Sequence, residues 1–152
     1  MPSQVFESAA HFETEHARVL VLCCSDGRFR EAVDDFLHEH LGLTRYDRLV
    51  MPGGPGAIAG GAGTWRHEEG VLEDIRFLMQ AHHTDTVVLI SHEDCGFYSV
   101  RVGVLGPEQS SRVKEDLKKA VSRFGVLGSG LRVEAFHASP AGGKVRFEAV
   151  AG

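Results

Sequence analysis

The sequence predicts an α/β fold with a mainly parallel central sheet, flanking helices and a hairpin-like edge near the C-terminus. Apolar runs of strand length alternate with stretches of helical period, which is typical of a parallel sheet wrapped by helices. With 152 residues, of which 43% are hydrophobic, the chain is long enough for one core and short for two. We therefore expect one domain over residues 1–152.

Two nearly continuous apolar runs predict strands that are buried on both faces of the sheet. They are residues 18–24, with the sequence RVLVLCC, and residues 86–91, with the sequence TVVLIS. A shorter strand is expected at residues 48–51. Residues 131–138 and 144–150, joined by the turn SPAGG, predict two paired strands at the sheet edge.

Apolar residues at spacings of three or four predict helices between these strands. Four stretches show this spacing: Val5, Phe6, Ala9 and Phe12; Phe29, Val33, Phe36, Leu37 and Leu41; Val71, Leu72, Ile75, Leu78 and Met79; Val113, Leu117, Ala120, Val121 and Phe124. Ser110 or Ser111 is the expected N-cap of the last helix. Glycine and proline predict a loop over residues 52–63.

Charge and composition argue against several kinds of partner. The formal net charge is -5 and the charged residues are spread through the chain, so no basic face is expected to bind nucleic acid. The N-terminus lacks the basic and apolar regions of a signal peptide, and no apolar run approaches the ~18 residues of a membrane span. We expect a cytoplasmic protein without a membrane partner, whose three cysteines serve metal binding or thiol chemistry rather than disulfides.

Two cysteines and one histidine lie at the ends of predicted strands. Cys24 ends the first buried strand, His92 follows the end of the other, and Cys95 comes three residues later. Because the carboxyl ends of parallel strands meet at one edge of the sheet, these side chains should converge. Two thiolates and one imidazole suit Zn²⁺, whose catalytic sites keep a fourth position for water. Cys23, by contrast, is expected to be a small buried hydrophobic residue.

Asp26 and Arg28 follow Cys24 in the loop that begins the next helix. A carboxylate held by a guanidinium beside a metal can accept a hydrogen bond from the metal's water, or can take the fourth coordination site itself. A plainer interpretation is a carboxylate that stabilises the N-terminus of a helix, next to a surface cation.

Two short motifs are similar to those of the β-class carbonic anhydrases. CSDGR at residues 24–28 resembles the family's Cys-x-Asp-x-Arg motif, and HEDCG at residues 92–96 resembles its His-x-x-Cys-Gly motif. The resemblance implies that Cys24, His92 and Cys95 bind Zn²⁺. It also implies that Asp26 and Arg28 form the family's carboxylate–guanidinium dyad. The implied activity is the reversible hydration of carbon dioxide to bicarbonate, in a homodimer or a higher homo-oligomer.

One segment departs from the family pattern. The family usually has an Arg-Asn-Ala-Gly-like segment after the second strand, whereas this chain has MPGGPGA at residues 51–57. The polar side chains that the family places beside the site are therefore missing. A zinc-binding module without catalysis, in which Asp26 permanently closes the fourth metal position, is an open alternative.

A second alternative is a different class of enzyme. Cys24 and Arg30 match the Cys-x5-Arg loop of cysteine-dependent phosphatases and rhodaneses, in which a thiol of lowered pKa attacks the substrate. Asp26 opposes this interpretation, because a carboxylate inside a phosphate-binding loop repels the anion. His92 and Cys95 would also have no purpose there, so this alternative is the less favoured one.

Overall fold

The central element of the fold is a five-stranded sheet with the strand order β2-β1-β3-β4-β5. The computed structural model describes residues 4–61 and 65–150. The strands are β1 (Val19–Cys24), β2 (Asp47–Met51), β3 (Thr86–His92), β4 (Arg132–Ala141) and β5 (Lys144–Ala149). The first four pair in parallel, and β5 pairs with β4 in the antiparallel direction. The predicted fold class and the hairpin-like edge are confirmed.

Helices cover both faces of this sheet. They are α1 (Arg30–Asp35), α2 (Trp65–Ala81) and α3 (Pro107–Leu127). A 3₁₀ turn, Gly27–Phe29, leads into α1, and a π-helical turn, Phe36–His40, continues it. Across residues 4–61 and 65–150, no helix combines the length and the apolar character needed to cross a membrane.

The apolar runs of β1 and β3 are explained by burial on both faces. Successive side chains of a strand point to opposite sides of a sheet. Leu20 and Leu22 pack with the apolar residues of α2 and α3, whereas Val21 and Cys23 pack with those of α1. All four are buried, so β1 lies in the middle of the core, and Cys24 is its last residue.

Two predictions about helices are wrong. Residues 4–18 form neither helix nor strand. Their aromatic residues Phe6 and Phe12 are 89% and 83% exposed, so no packing offsets the entropy lost when a short helix forms. The last helix begins at Pro107, with Gly106 as its N-cap, and not after Ser110 or Ser111. Proline suits the first helical position because its missing N–H has no partner there in any case.

The glycine-rich segment is more regular than the predicted loop. Gly54–Ile58 forms a buried 3₁₀ helix, while the predicted loop's last two residues, 62 and 63, lie outside the described residues. Gly54 has a φ of +50°, and a Cβ at this position would lie 2.8 Å from the backbone nitrogen of Cys24. Only glycine allows the segment to pack this closely against the end of β1.

Candidate metal centre

The three predicted metal ligands converge at the carboxyl edge of the sheet. Cys24 is the last residue of β1, His92 is the last residue of β3, and Cys95 lies in the turn that follows β3. Their ligand atoms all lie within 4.8 Å of one another, and the two Sγ atoms are 3.9 Å apart. Two thiolates on one tetrahedral zinc ion are expected about 3.8 Å apart. The three side chains could therefore hold one metal ion.

The orientation of His92 suits a metal ligand. Its Nδ1–H donates to the carbonyl oxygen of Glu93 at 2.7 Å, which leaves the lone pair of Nε2 free. Nε2 is buried and has no hydrogen-bond partner among the described residues. A buried polar atom without a partner costs free energy, and a metal ion at this point would remove that cost. The ring also stacks on Phe29, with 4.3 Å between centroids.

The two thiols of the cluster affect each other's ionisation. The contact with Cys95 lowers the pKa of Cys24 well below its usual range, and the same contact raises the pKa of Cys95. A metal cation favours both thiolates, because zinc binds deprotonated cysteine. Cys23 lies outside the cluster, and burial raises the pKa of its thiol to about 11. Its prediction as a small buried hydrophobic residue is confirmed.

Asp26 and Arg28 form the predicted ion pair beside this cluster. The Nε atom of Arg28 lies 3.1 Å from both carboxylate oxygens of Asp26, and its Nη2 atom donates to Oδ2 at 2.6 Å. These hydrogen bonds lower the pKa of Asp26, so its carboxyl group is ionised at neutral pH. Asp26 Oδ2 lies 3.9 Å from His92 Nε2. A charged oxygen thus lies next to the atoms that could bind a metal.

Sequence reasoning missed two residues that support the site. Asp94 holds Arg28 from the other side: its Oδ2 accepts from Nη1 at 3.1 Å, and its carbonyl oxygen accepts from Nη2 at 3.0 Å. Gln109 of α3 accepts the backbone N–H of Cys95 at 2.8 Å. The only signal in the sequence was the position of Asp94 inside the HEDCG motif. Nothing local marks Gln109, because its partner lies 14 residues away.

A small cavity of about 160 Å³ lies along the Cys24–Asp26 segment. Its wall combines apolar and basic side chains and includes Phe29, Val33, Val50, Arg30 and Arg48. Arg30, the arginine of the Cys-x5-Arg alternative, pairs with Glu31 at 3.3 Å, and its side chain is 64% exposed. Cys24, meanwhile, contacts Cys95. Cys24 and Arg30, which would act together in a phosphate-binding loop, thus have different partners.

A curated protein is similar to part of this sequence. An uncharacterized protein of Rickettsia conorii is 28% identical over 99 residues, which are 63% of this chain and 52% of the relative. This chain therefore spans about half the length of that curated relative.

Two solved structures illustrate the likeness in fold. A carbonic anhydrase from Streptococcus mutans superposes with a TM-score of 0.57 at 18% identity, covering 95% of this chain and 88% of its own. A tetrameric β-carbonic anhydrase from Sordaria macrospora superposes with a TM-score of 0.53 at 13% identity, covering 90% and 84%.

The family match covers most of the chain. Residues 14–150 match the family model described as "Putative carbonic anhydrase". The strand order, the convergence of the two motifs and the solved structures are consistent with this match. The chain therefore belongs to this carbonic anhydrase family and has the fold of the β-class enzymes.

Proposed function

We propose that this protein is a zinc-dependent lyase, a carbonic anhydrase that hydrates carbon dioxide reversibly to bicarbonate. The observation that carries the proposal is the ionised Asp26 oxygen 3.9 Å from the free Nε2 of His92, beside two thiols. Cys24, His92 and Cys95 would hold the zinc. Zinc bound there would supply Lewis acidity, which makes water acidic enough to ionise near neutral pH.

Asp26 and Arg28 have the catalytic roles in this proposal. Two thiolates offset the charge of the cation, so a large share of the task of orienting water falls to Asp26. Its Oδ2 can accept a hydrogen bond from the attacking water and so direct a lone pair toward carbon dioxide. Arg28 keeps the carboxylate ionised and fixes its direction with two-pronged hydrogen bonds.

The small cavity supports this substrate. Its volume of about 160 Å³ is suited to a molecule of a few atoms, and its apolar wall of Phe29, Val33 and Val50 suits neutral carbon dioxide. Arg30 and Arg48 also line this wall, but Glu31 pairs with the first and Asp34 with the second, so the apolar side chains carry the argument.

The decisive experiment combines metal analysis with a stopped-flow assay of carbon dioxide hydration. We expect about one zinc per chain, saturable hydration, and loss of both in Cys95→Ser. Protein purified without chelators that contains no zinc would overturn the proposal. Zinc without hydration would instead identify a non-catalytic zinc module. Hydrolysis of an aryl phosphate that resists chelators and requires Arg30 would identify a phosphatase.

The assembly and location of the protein remain predictions. The superposed Sordaria macrospora enzyme is tetrameric, which supports a homodimer or a higher homo-oligomer for this chain. The exposed rings of Phe6 and Phe12 offer apolar surface for such contacts. We likewise propose, from the sequence, a single domain over residues 1–152 and a cytoplasmic location.

A further inference from the structure

A largely buried polar network lies behind the segment that runs from His92, at the end of β3, to Cys95 in the following turn. His137 of β4 is 1% exposed; its Nδ1 lies 2.8 Å from Ser91 Oγ, and its Nε2 lies 2.9 Å from Glu93 Oε2. Ser110 of α3 donates to the same Glu93 oxygen at 2.9 Å. The network joins two strands, one helix and the metal-ligand turn.

The direction of these hydrogen bonds follows from the chemistry of the groups. A carboxylate can only accept, so the Nε2 of His137 carries the proton that is shared with Glu93. Burial lowers the pKa of His137, so its ring is neutral and its Nδ1 must accept from the Ser91 hydroxyl. Each hydrogen-bond donor in the network thus has an acceptor.

Glu93 is the point at which the network reaches the metal site. Its carboxylate is held by His137 and Ser110, and its backbone N–H donates to the carbonyl of Ala138 at 2.9 Å. Its carbonyl oxygen accepts the Nδ1–H of His92 at 2.7 Å. Because its side chain and its N–H are both fixed, the residue has little freedom to turn its carbonyl away from His92.

We propose that Glu93 and His137 are positioning residues for His92: they hold the Glu93 carbonyl in the place where it fixes Nδ1–H, so that Nε2 faces the metal. Partners of this kind set the tautomer and direction of a ligating histidine, and losing one typically weakens metal binding about 10- to 100-fold. The inference rests on the metal centre of the proposed function.

A rival interpretation is a hydrolytic triad, because a serine, a histidine and a glutamate are linked in one chain of hydrogen bonds. Ser91 is only 4% exposed, so a substrate cannot reach its hydroxyl. The network is therefore suited to holding structure in place and not to attacking a substrate.

The first test measures the dissociation constant of zinc by competition with a chromophoric chelator. Glu93→Ala and His137→Leu should each bind zinc about 10- to 100-fold more weakly than the wild type. Glu93→Gln should bind within about threefold of the wild type, because its amide oxygen still accepts from His137 and Ser110.

His82→Leu is the matched control. His82 also contacts a carboxylate, that of Asp47 at 2.6 Å, but Asp47 begins β2 at the opposite end of the strands from the ligands. Its loss should leave zinc affinity unchanged. If His137→Leu fails to fold, Glu93→Ala decides, since the Glu93 side chain is 36% exposed and its removal leaves a smaller gap. Wild-type affinity in folded Glu93→Ala overturns the inference.

The second test needs no metal and separates this inference from the proposed function. Long-range ¹H–¹⁵N NMR of metal-free protein, at a pH where the ring is neutral, reports which nitrogen of His92 is protonated. We expect Nδ1–H in the wild type and in His82→Leu, and a mixture of tautomers in Glu93→Ala. An unchanged tautomer in that variant overturns the inference even if zinc binds. A wild type that binds no zinc overturns the proposed function instead.

Discussion

Asp26 is the residue on which the proposed chemistry depends most, because its carboxylate can have two partners. In the structure Arg28 holds both carboxylate oxygens, and Asp94 holds Arg28 in turn. The alternative partner is the proposed metal ion, whose nearest candidate ligand atom, His92 Nε2, lies 3.9 Å away. In the proposed function, the hydrogen bonds from Arg28 would therefore oppose closure of the fourth metal position, and they would decide between an active enzyme and a closed zinc module.

Replacing Asp26 by alanine should separate metal binding from catalysis. The three ligands remain, so Asp26→Ala should keep about one zinc per chain. The variant loses the group that orients the attacking water, so hydration should fall by about 10²-fold or more. Stopped-flow hydration and metal analysis on one preparation check both points. Wild-type activity in Asp26→Ala across the pH range would remove the dyad from the mechanism.

Arg28→Lys should keep the Asp26 carboxylate but leave it free to move. Lysine carries the charge but cannot hold a carboxylate with two parallel hydrogen bonds, so Asp26 should close the metal position more often. Because hydroxide would compete with the carboxylate for that position, activity should be depressed near neutral pH and should recover as the pH rises. A pH–rate profile that is lower than that of the wild type by one constant factor would contradict this account.

The candidate metal ligands at the strand ends could be predicted from the sequence. The residues that hold these ligands in place could not. Cys24, His92 and Cys95 were predictable because strand ends in a parallel sheet share one edge. Glu93 and His137 were not, because their contact spans 44 residues and only the register of β3 with β4 creates it. Such partners leave no local pattern.

Among the elements, buried strands were predicted best and amphipathic spacing was the weakest guide. β1 and β3 have few polar residues because both their faces are covered, which leaves a clear signal. Helical spacing at residues 5–12 gave a false helix, since spacing does not show whether a partner surface exists. The π-helix Phe97–Val102 was not predicted, because it is a single short turn between two glycines.

The 3₁₀ helix Gly54–Ile58 should tolerate no side chain at its first residue. In Gly54→Ala the new Cβ would meet the backbone nitrogen of Cys24 at 2.8 Å, in a left-handed conformation that alanine disfavours. We expect the free energy of unfolding to fall by about 1–3 kcal/mol, with weaker metal binding as the end of β1 shifts. Urea unfolding followed by circular dichroism measures the first effect.

Gly125→Ala is the control for this substitution. Gly125 lies on the exposed side of α3, and an added Cβ would meet no atom within 4 Å outside its own stretch of helix. Alanine there should raise the free energy of unfolding by about 0.5–1 kcal/mol, because glycine weakens the interior of a helix. Equal stability changes in the two variants would show that Gly54 is not needed for close packing.

At the scale of the whole molecule, we expect association in solution through the N-terminal segment. Residues 4–18 expose Phe6 and Phe12 without forming helix or strand, so a second copy could cover these rings. Light scattering coupled to size exclusion should give at least twice the mass of one chain. Phe6→Ser combined with Phe12→Ser should shift the mass toward the monomer; an unchanged assembly would place the interface elsewhere.

The stability of the whole fold should depend on pH through His137. Burial lowers its pKa, although Glu93 and Glu148 act in the opposite direction and Lys114 adds to the shift. In the unfolded chain a histidine has a pKa of about 6.5. As the pH falls, the unfolded state therefore binds a proton at this histidine before the folded state does. The contribution of the neutral ring to the free energy of unfolding is therefore fully present above about pH 6.5. It is lost as the pH falls through the lower pKa of the folded state.

Urea unfolding of metal-free wild type and His137→Leu between about pH 5 and 8 isolates this contribution. Chelated protein is needed, because protons also compete with zinc for the thiolates. The stability advantage of the wild type should shrink as the pH falls, since leucine has no proton to bind. A difference that stays constant over this range would show that His137 does not titrate on unfolding.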